Sequence, residues 1–493
     1  MHDPKESDSA ILATSPGNKA AGAVADWEER RAGTNENPGG RSTVRTQRRA
    51  AVSQGAERIR QFIARKPKEK LTALLHHVTP GTLRAAYDAL KREAAPGVDG
   101  MTWDRYGEGL DERLLDLHDR VHAGTYRARP SRRVNIPKPD GGTRPLGVAA
   151  LEDKIVQKAI VDNILTPIYE AEFLGFSYGF RPGRGAHDAL DALAYGIEKR
   201  KVNWILDADI AKFFDRIDRD WILRFLGERI GDQRLIRLIG KWLRMGAMED
   251  GQLVDTGKGT PQGSVISPVL ANIYLHYVLD LWVGRKWRPR EARGVMIFVR
   301  YADDYVAGFQ HRQDAERFLR DLKERLGQFG LELHPDKTRL IEFGRFAIAD
   351  RKKRGQGRPE TFDFLGMTHY CRQTRKGHFG LGRKPVAKRM SRTLKAIRAQ
   401  LRRRMHADKV ETGKWLGQVL RGWYNYFAVP TSYPYLARFE QRVKREWLTI
   451  LRKRSQKDRY PRERLDRLCQ ALWPPVQVLH PWPDQRFAVN HRR

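Results

Sequence analysis

Val295-Met-Ile-Phe-Val-Arg-Tyr-Ala-Asp-Asp-Tyr-Val-Ala-Gly-Phe309 decides the reading of this chain. Two adjacent carboxylates, Asp303 and Asp304, stand between two runs rich in β-branched and aromatic residues. That is the pattern of a β-hairpin with Ala302, Asp303 and Asp304 at its tip. A lone Asp-Asp pair is most often a solvated turn. Here the apolar flanks on both sides anchor the pair to a core. Two like charges held on a rigid tip are best explained by a divalent cation, most simply Mg²⁺, which binds carboxylate oxygens.

A third carboxylate extends the argument. Trp204-Ile-Leu-Asp-Ala-Asp-Ile-Ala-Lys-Phe-Phe-Asp-Arg-Ile-Asp218 reads as a strand running out into a helix. Asp207 and Asp209 fall on one strand face by period-2 alternation. A strand-end Asp beside the hairpin carboxylates forms a cage for two metal ions. At a separation of roughly 3.5–4 Å, two such ions activate an attacking oxygen and stabilise a leaving one during in-line phosphoryl displacement. The chemistry indicated is nucleotidyl transfer.

From about Leu71 to about Leu451 the chain resembles the group II intron-encoded proteins, reverse transcriptases that also serve as RNA-splicing maturases. The resemblance is carried by Tyr301-Ala-Asp-Asp304, Asp209-Ile-Ala-Lys-Phe-Phe214, Gly259-Thr-Pro-Gln-Gly-Ser264, Phe364-Leu-Gly366 and Gly422-Trp-Tyr-Asn-Tyr-Phe427. Each string is short, but the five stand in the family's order at plausible spacing. The resemblance implies an α+β right-hand polymerase, with an antiparallel sheet in fingers and palm, followed by an α-helical thumb or maturase domain. It implies that Asp209, Asp303 and Asp304, with the backbone carbonyl of Ile210, hold two Mg²⁺ ions. It places Lys138, Arg144, Phe214, Gln262 and Lys337 around the incoming dNTP. Template or intron RNA is expected at Arg181, Arg184, Lys388, Arg389 and Arg392.

Composition agrees. The chain has 493 residues, with 93 Lys and Arg against 59 Asp and Glu, a formal charge of +34. Such an excess repels itself and makes a polyanion the expected partner. Cys371 and Cys469 are the two cysteines, which leaves no CxxC pair, no cysteine-based zinc cluster and no disulfide framework. No apolar run approaches the ~20 residues of a membrane span, and the N-terminus has no signal-peptide core. A cytoplasmic, nucleoid-associated protein is expected.

Residues 1–55 are poor in large apolar side chains and read as a disordered basic segment. Residues 56–135 read as a helical extension, with Leu71, Leu74, Leu75 and Val78 at helical spacing. Fingers and palm are expected over 136–372, the thumb over 373–454, and a short basic tail open to DNA contact over 455–493. In Ile136-Pro-Lys-Pro-Asp-Gly-Gly-Thr-Arg-Pro-Leu-Gly147, Asp-Gly-Gly reads as a hairpin turn that sets Lys138 and Arg144 on facing strands. Two such cations suit a triphosphate; a plain basic surface hairpin fits the spacing equally well. Phe176-Ser-Tyr-Gly-Phe-Arg-Pro-Gly-Arg-Gly185 mixes aromatics, Arg and Gly as a track for single-stranded template does, or as a packed turn does. Gly259 and Gly263 permit close backbone approach to a ligand, and Gln262 then meets the degenerate minor groove. Phe214 stands where a ring under the sugar clashes with a 2′-hydroxyl, with a core Phe as the alternative. Lys337, expected near a strand after the helix Ala315 to Phe329, is open to a proton-donor role, a phosphate-neutralising role, or none.

Basic amphipathic helices are expected over Lys384 to Arg404 and Leu436 to Lys453, with a more apolar one over Trp415 to Tyr426. Cationic outer faces suit RNA, which proteins grip largely through phosphate, 2′-hydroxyl and shape. The aromatics of Gly422–Phe427 read as core. Many relatives end in a zinc-dependent His-Asn-His endonuclease with paired cysteines, and that domain is not expected here. The implied partners are group II intron RNA, an RNA-template/DNA-primer duplex, target DNA and dNTPs, with no membrane; the oligomeric state, monomer or dimer, is open. The alternatives are a host-adopted enzyme of this type, for example in CRISPR spacer acquisition, and an RNA-binding splicing factor whose polymerase activity is secondary.

Overall fold

A computed structural model describes residues 55–137, 143–249, 252–254, 257, 259–260, 263–454 and 460–490, with backbone alone for Pro137, Arg144 and 487–490. Lys138, Gln262 and residues 1–54 of the expected N-terminal segment lie outside the described residues. Among the described residues the strands run in chain order as β1 (Ser131–Pro137), β2 (Thr143–Val148), β3 (Trp204–Ala208), β4 (Ala247–Glu249), β5 (Gln252–Val254), β6 (Met296–Tyr301), β7 (Asp304–Phe309), β8 (Arg339–Glu342), β9 (Phe362–Phe364), β10 (Met367–Gln373) and β11 (Phe379–Pro385). They form three sheets, ordered β2-β1-β4-β5, β6-β7-β3-β8 and β11-β10-β9. With the helices between them they make a mixed α+β protein.

The sheet β6-β7-β3-β8 is antiparallel throughout. Period-2 alternation divides its residues between two cores. Leu206, Phe298, Tyr305, Ala307 and Phe309 face one, packed with Phe318, Leu322 and Leu326 of the helix Arg312–Gly327. Ile205, Ile297, Val299, Val306 and Ile341 face the other, beside Leu190, Leu193 and Ile197 of the helix Ala186–Lys199. A sheet covered on both faces explains why Val295–Phe309 reads as an almost unbroken apolar run. Each fully buried Leu, Ile, Val or Phe contributes roughly 1.5–3 kcal/mol.

The hairpin β1–β2 sets Ile136 opposite Arg144. β4 joins it in parallel through Ser131 and Ala247, a pairing the sequence did not suggest. β1 begins at Ser131, so the first sheet takes in residues expected to close the helical extension. That extension, with helices Pro80–Ala89, Trp103–Gly107 and Leu110–His122, shares the core of the rest. Leu71 bridges to Ile230, and the Asp232 carboxylate accepts from Leu74 N at 2.8 Å and Leu75 N at 3.1 Å.

The turn between β9 and β10 uses Leu365 at φ +48° and Gly366 at φ +73°. Two left-handed residues match the twist of a tight hairpin. The helices Ala387–Arg403, Lys409–Phe427 and Tyr433–Arg452 follow. Trp423, Tyr424, Tyr426 and Phe427 are buried, and Trp423 stacks on Phe439 at 4.2 Å. No helix among the described residues is long and apolar enough to cross a membrane.

Residues 460–486, within the segment expected as a short basic tail, pack back onto the helices before them. The helix Arg462–Leu472 buries Leu465 and Cys469. Trp473 stacks on Trp447 at 5.8 Å and donates from Nε1 to Gly413 O at 3.2 Å. Leu479 N and His480 N then donate to Ala428 O, the His480 ring lies 3.9 Å from that of His187, and Arg486 reaches Asp191 at 3.0 Å. The apolar residues among the cations give this segment a face to bury.

Candidate active site at the β6–β7 hairpin tip

β6 and β7 pair up to Tyr301 with Asp304, so Ala302 and Asp303 form a two-residue turn. Ala302 takes φ +55°. β3 pairs with β7 up to Ala208 with Tyr305, and one step beyond lie Asp209 and Asp304. The register thus brings the strand-end carboxylate beside the hairpin pair. The Asp209 backbone is fixed from its other side, because His334 N donates to Asp209 O at 2.7 Å and Ala211 N to Glu332 O at 2.8 Å. Ile210 is locked between them by a bridge to Leu333.

The electrostatics are those of a site short of positive charge. The Asp304 carboxyl is pushed up to about 7, first by the surrounding protein and then by the charges of Asp303, Asp209 and Asp207, with Lys337 opposing. Water still reaches this side chain, which softens the penalty without changing its sign. Lys337 Nζ donates to Asp209 Oδ2 at 2.5 Å, and this bond raises the ammonium's own pKa. Asp207, by contrast, pairs with Arg339 at 3.1 Å on the strand face turned toward Thr361. Among the described residues no three His, Cys, Asp or Glu side chains stand close enough to hold a metal ion as they are. The donors fit one nonetheless: they are hard anionic oxygens, and their excess charge is what a divalent cation would neutralise. Lys337 would compete with the ion for Asp209 Oδ2.

The loop before the helix Ser267–Leu275 lies against the segments that carry two other predicted residues, Phe214 and Arg144. Thr260 N donates to Phe214 O at 2.9 Å. Gly259, at φ +83°, lies so close that a Cβ would meet Phe214 O at 2.8 Å. Phe214 is half-buried, with its ring 5.3 Å from that of Phe213. Gly263 lies against Gly147 O and Leu146 of β2, while Gly259 and Thr260 lie against the segment after Asp209. The backbone of Arg144 lies on β2.

Sequence reasoning missed the frame beneath the tip. Arg300, fully buried, donates to Asp280 at 2.7 and 2.5 Å, to Asn272 Oδ1 at 3.0 Å, to Ser177 Oγ at 2.7 Å and to Ala302 O at 2.8 Å. The available signal was an Arg inside an otherwise apolar strand.

The predicted RNA-binding cations divide. Arg181 is a structural tie: its guanidinium is engaged by Glu170, Leu174 O and Ser177 O, leaving 2% of the side chain exposed. Arg184 is likewise turned inward, onto Gly175 O at 2.6 Å, and burial lowers its pKa. Arg389 stacks over Tyr426 and Phe427 at 5.5 and 5.6 Å, where it packs against the Gly366 turn. Lys388 and Arg392 are exposed.

An antiparallel sheet that presents two carboxylates on a hairpin tip and a third at the adjoining strand end has the layout of a template-directed nucleotidyl transferase. Residues 136–369 match the family described as reverse transcriptase (RNA-dependent DNA polymerase). The chain is 32% identical over 349 residues to Protein YkfC of Escherichia coli (strain K12), covering 62% of this chain and 91% of that protein. It belongs to the reverse transcriptase family. It is also 35% identical over 231 residues to the group II intron-encoded protein LtrA of Lactococcus lactis subsp. cremoris, covering 46% of this chain and 38% of LtrA. A 91 kDa protein in the cob intron of Schizosaccharomyces pombe (strain 972) is 38% identical over 271 residues, covering 53% and 33%. The chain thus spans between about a third and two fifths of the length of these two intron proteins, 33% and 38%.

Proposed function

We propose that this protein is an RNA-directed DNA polymerase that also binds a parent group II intron RNA, assisting its splicing and its mobility by target-primed reverse transcription. The observation that carries the catalytic part is the register that sets Asp209 beside Asp303 and Asp304, where burial and then the neighbouring negative charges push Asp304 up to about 7. In this reading the sheet β2-β1-β4-β5 is the fingers, β6-β7-β3-β8 the palm and the helices from Ala387 onward the thumb. Asp209, Asp303 and Asp304, with the Ile210 carbonyl, would hold two Mg²⁺ ions, which when bound activate the primer 3′-hydroxyl and stabilise the departing pyrophosphate. Lys337, released from Asp209, stays beside the site to neutralise phosphate or donate a proton. Lys138 and Arg144 neutralise the triphosphate, and Gln262 follows the minor groove without demanding one base pair. The Phe214 ring excludes a ribose 2′-hydroxyl. Lys388 and Arg392 on the thumb grip RNA backbone. The setting is cytoplasmic, and target DNA is the second nucleic-acid partner.

Primer extension on an RNA template with Mg²⁺ tests the assignment. Asp303→Asn and Asp304→Asn should each abolish dNTP incorporation, while Asp303→Asn should still bind the cognate intron RNA and promote its excision. Near wild-type extension by either variant removes the catalytic assignment. Loss of splicing with RNA affinity intact would mean that both activities use the same carboxylates.

A further inference from the structure

Phe180 combines two features that each work against folding. Its φ is +55°, a region that bulky L-residues avoid and glycine enters freely. Its side chain is also left largely in water, with the residue 52% exposed. Strain of this kind persists only where the surroundings over-determine it, and it concentrates at functional positions.

The surroundings here are the frame of the catalytic tip. Asn272 accepts from Arg300 Nη1 at 3.0 Å and donates through Nδ2 to Gly179 O at 2.6 Å. The same Arg300 nitrogen donates to Ala302 O at 2.8 Å. Gly179 presses on the tip so closely that a Cβ there would meet Ala302 N at 2.3 Å. Tyr178 N donates to Arg300 O at 2.8 Å. On the far side, Arg181 is anchored by Glu170, Leu174 O and Ser177 O. The residue before Phe180 and the residue before Asp303 are therefore held by one buried network, so an exposed aromatic residue stands next in the chain to the frame of the carboxylate tip.

We propose that Phe180 is a stacking residue whose ring lies against a nucleobase of the primer–template at its catalytic end. This rests on the polymerase reading and names a contact within it. Every base offers a π-face, so a stack supplies affinity and registration without choosing a sequence, which is what a template-copying enzyme requires. The cations Arg181 and Arg184, turned into the fold, tie down the segment that carries this residue.

The test uses the full chain with a DNA primer annealed to an RNA template. Phe180→Gly should melt at the wild-type temperature or above, because glycine relieves the strained φ, yet bind primer–template about 10-fold more weakly, the order expected for one lost base–aromatic stack. Phe180→Tyr should stay close to wild type. Single abasic sites placed in turn at the primer terminus and along the template identify the strand: at the contacted position the difference between wild type and Phe180→Gly should close. The proposal is overturned if Phe180→Gly binds as wild type does, if its melting temperature falls, if Phe180→Tyr behaves like Phe180→Gly, or if no abasic position closes the gap. A wild-type protein that fails to extend the primer would strike the polymerase reading instead.

Discussion

Arg300→Met is the substitution whose outcome the structure constrains most tightly. The Arg300 and Asp280 side chains are both fully buried, and their pairing is bidentate. Methionine fills much the same volume but leaves the Asp280 carboxylate without its counter-charge. Breaking a buried pair from one side costs about 3–5 kcal/mol, a large part of the 5–15 kcal/mol that typically holds a folded protein together. Asn272 Oδ1, Ser177 Oγ and Ala302 O lose a donor at the same time. Urea denaturation of the metal-free protein should show the midpoint falling with little change in slope. Asp280→Leu added to Arg300→Met removes the orphaned charge, and apolar replacement of a buried pair is often neutral, so most of the stability should return. Primer extension should not return with it, because Ala302 O still lacks the bond that holds the hairpin tip. Two results would refute this reasoning: a loss below about 1 kcal/mol in the single variant, whose expected cost is several times that, or full extension in the double variant.

Other outcomes follow from the site. In EDTA, Asp304→Asn should be more stable than wild type at pH 8 and no more stable at pH 4. A carboxyl raised to about 7 when folded loses stability as the pH climbs from its unfolded value through 7, and asparagine has no proton to lose. Mg²⁺ should then stabilise the wild type more than the variant, and equal melting curves at pH 8 in EDTA would remove the charge-excess argument. Phe214→Ala should lower discrimination between dNTP and rNTP in single-nucleotide incorporation; an unchanged ratio with full activity would return the ring to a packing role. Replacing Lys388 and Arg392 with alanine should flatten the salt dependence of RNA binding by up to about one log–log unit per lost phosphate contact, whereas Asp303→Asn should leave that slope unchanged.

The parts of this molecule that were legible in its sequence are those fixed by local pattern. The Asp-Asp tip could be read because two apolar runs flank it and a strand-end Asp lies in a similar setting upstream. The aromatics of Gly422–Phe427 were legible as core because helical spacing places them on one face. Arg181 was not, because its burial depends on Glu170 and on carbonyls exposed by an irregular turn, and no periodicity encodes such partners. The pairing of β1 with β4 joins residues more than a hundred positions apart, a distance over which short strands leave no signal. The fold of residues 460–486 was hidden by composition: its cations draw attention, while Leu465, Cys469 and Trp473 do the packing.

The return of that segment to the helix Ala186–Lys199 also sets an order of events during synthesis. Asp191 has two cationic partners, Arg383 at 2.7 Å and Arg486 at 3.0 Å, and the second leaves the ribosome long after the strands that carry Asp209 and Asp304. A nascent chain can therefore assemble its carboxylate sheet while the last hold on the neighbouring helix is still unmade. The His187–His480 stack and the bonds to Ala428 O close only when residues 479–486 emerge. Emergence of residues 479–486 thereby becomes a structural checkpoint: a product broken off before them would keep its catalytic tip but lack the latch that ties the end of the helix Lys409–Phe427 to the helix Ala186–Lys199.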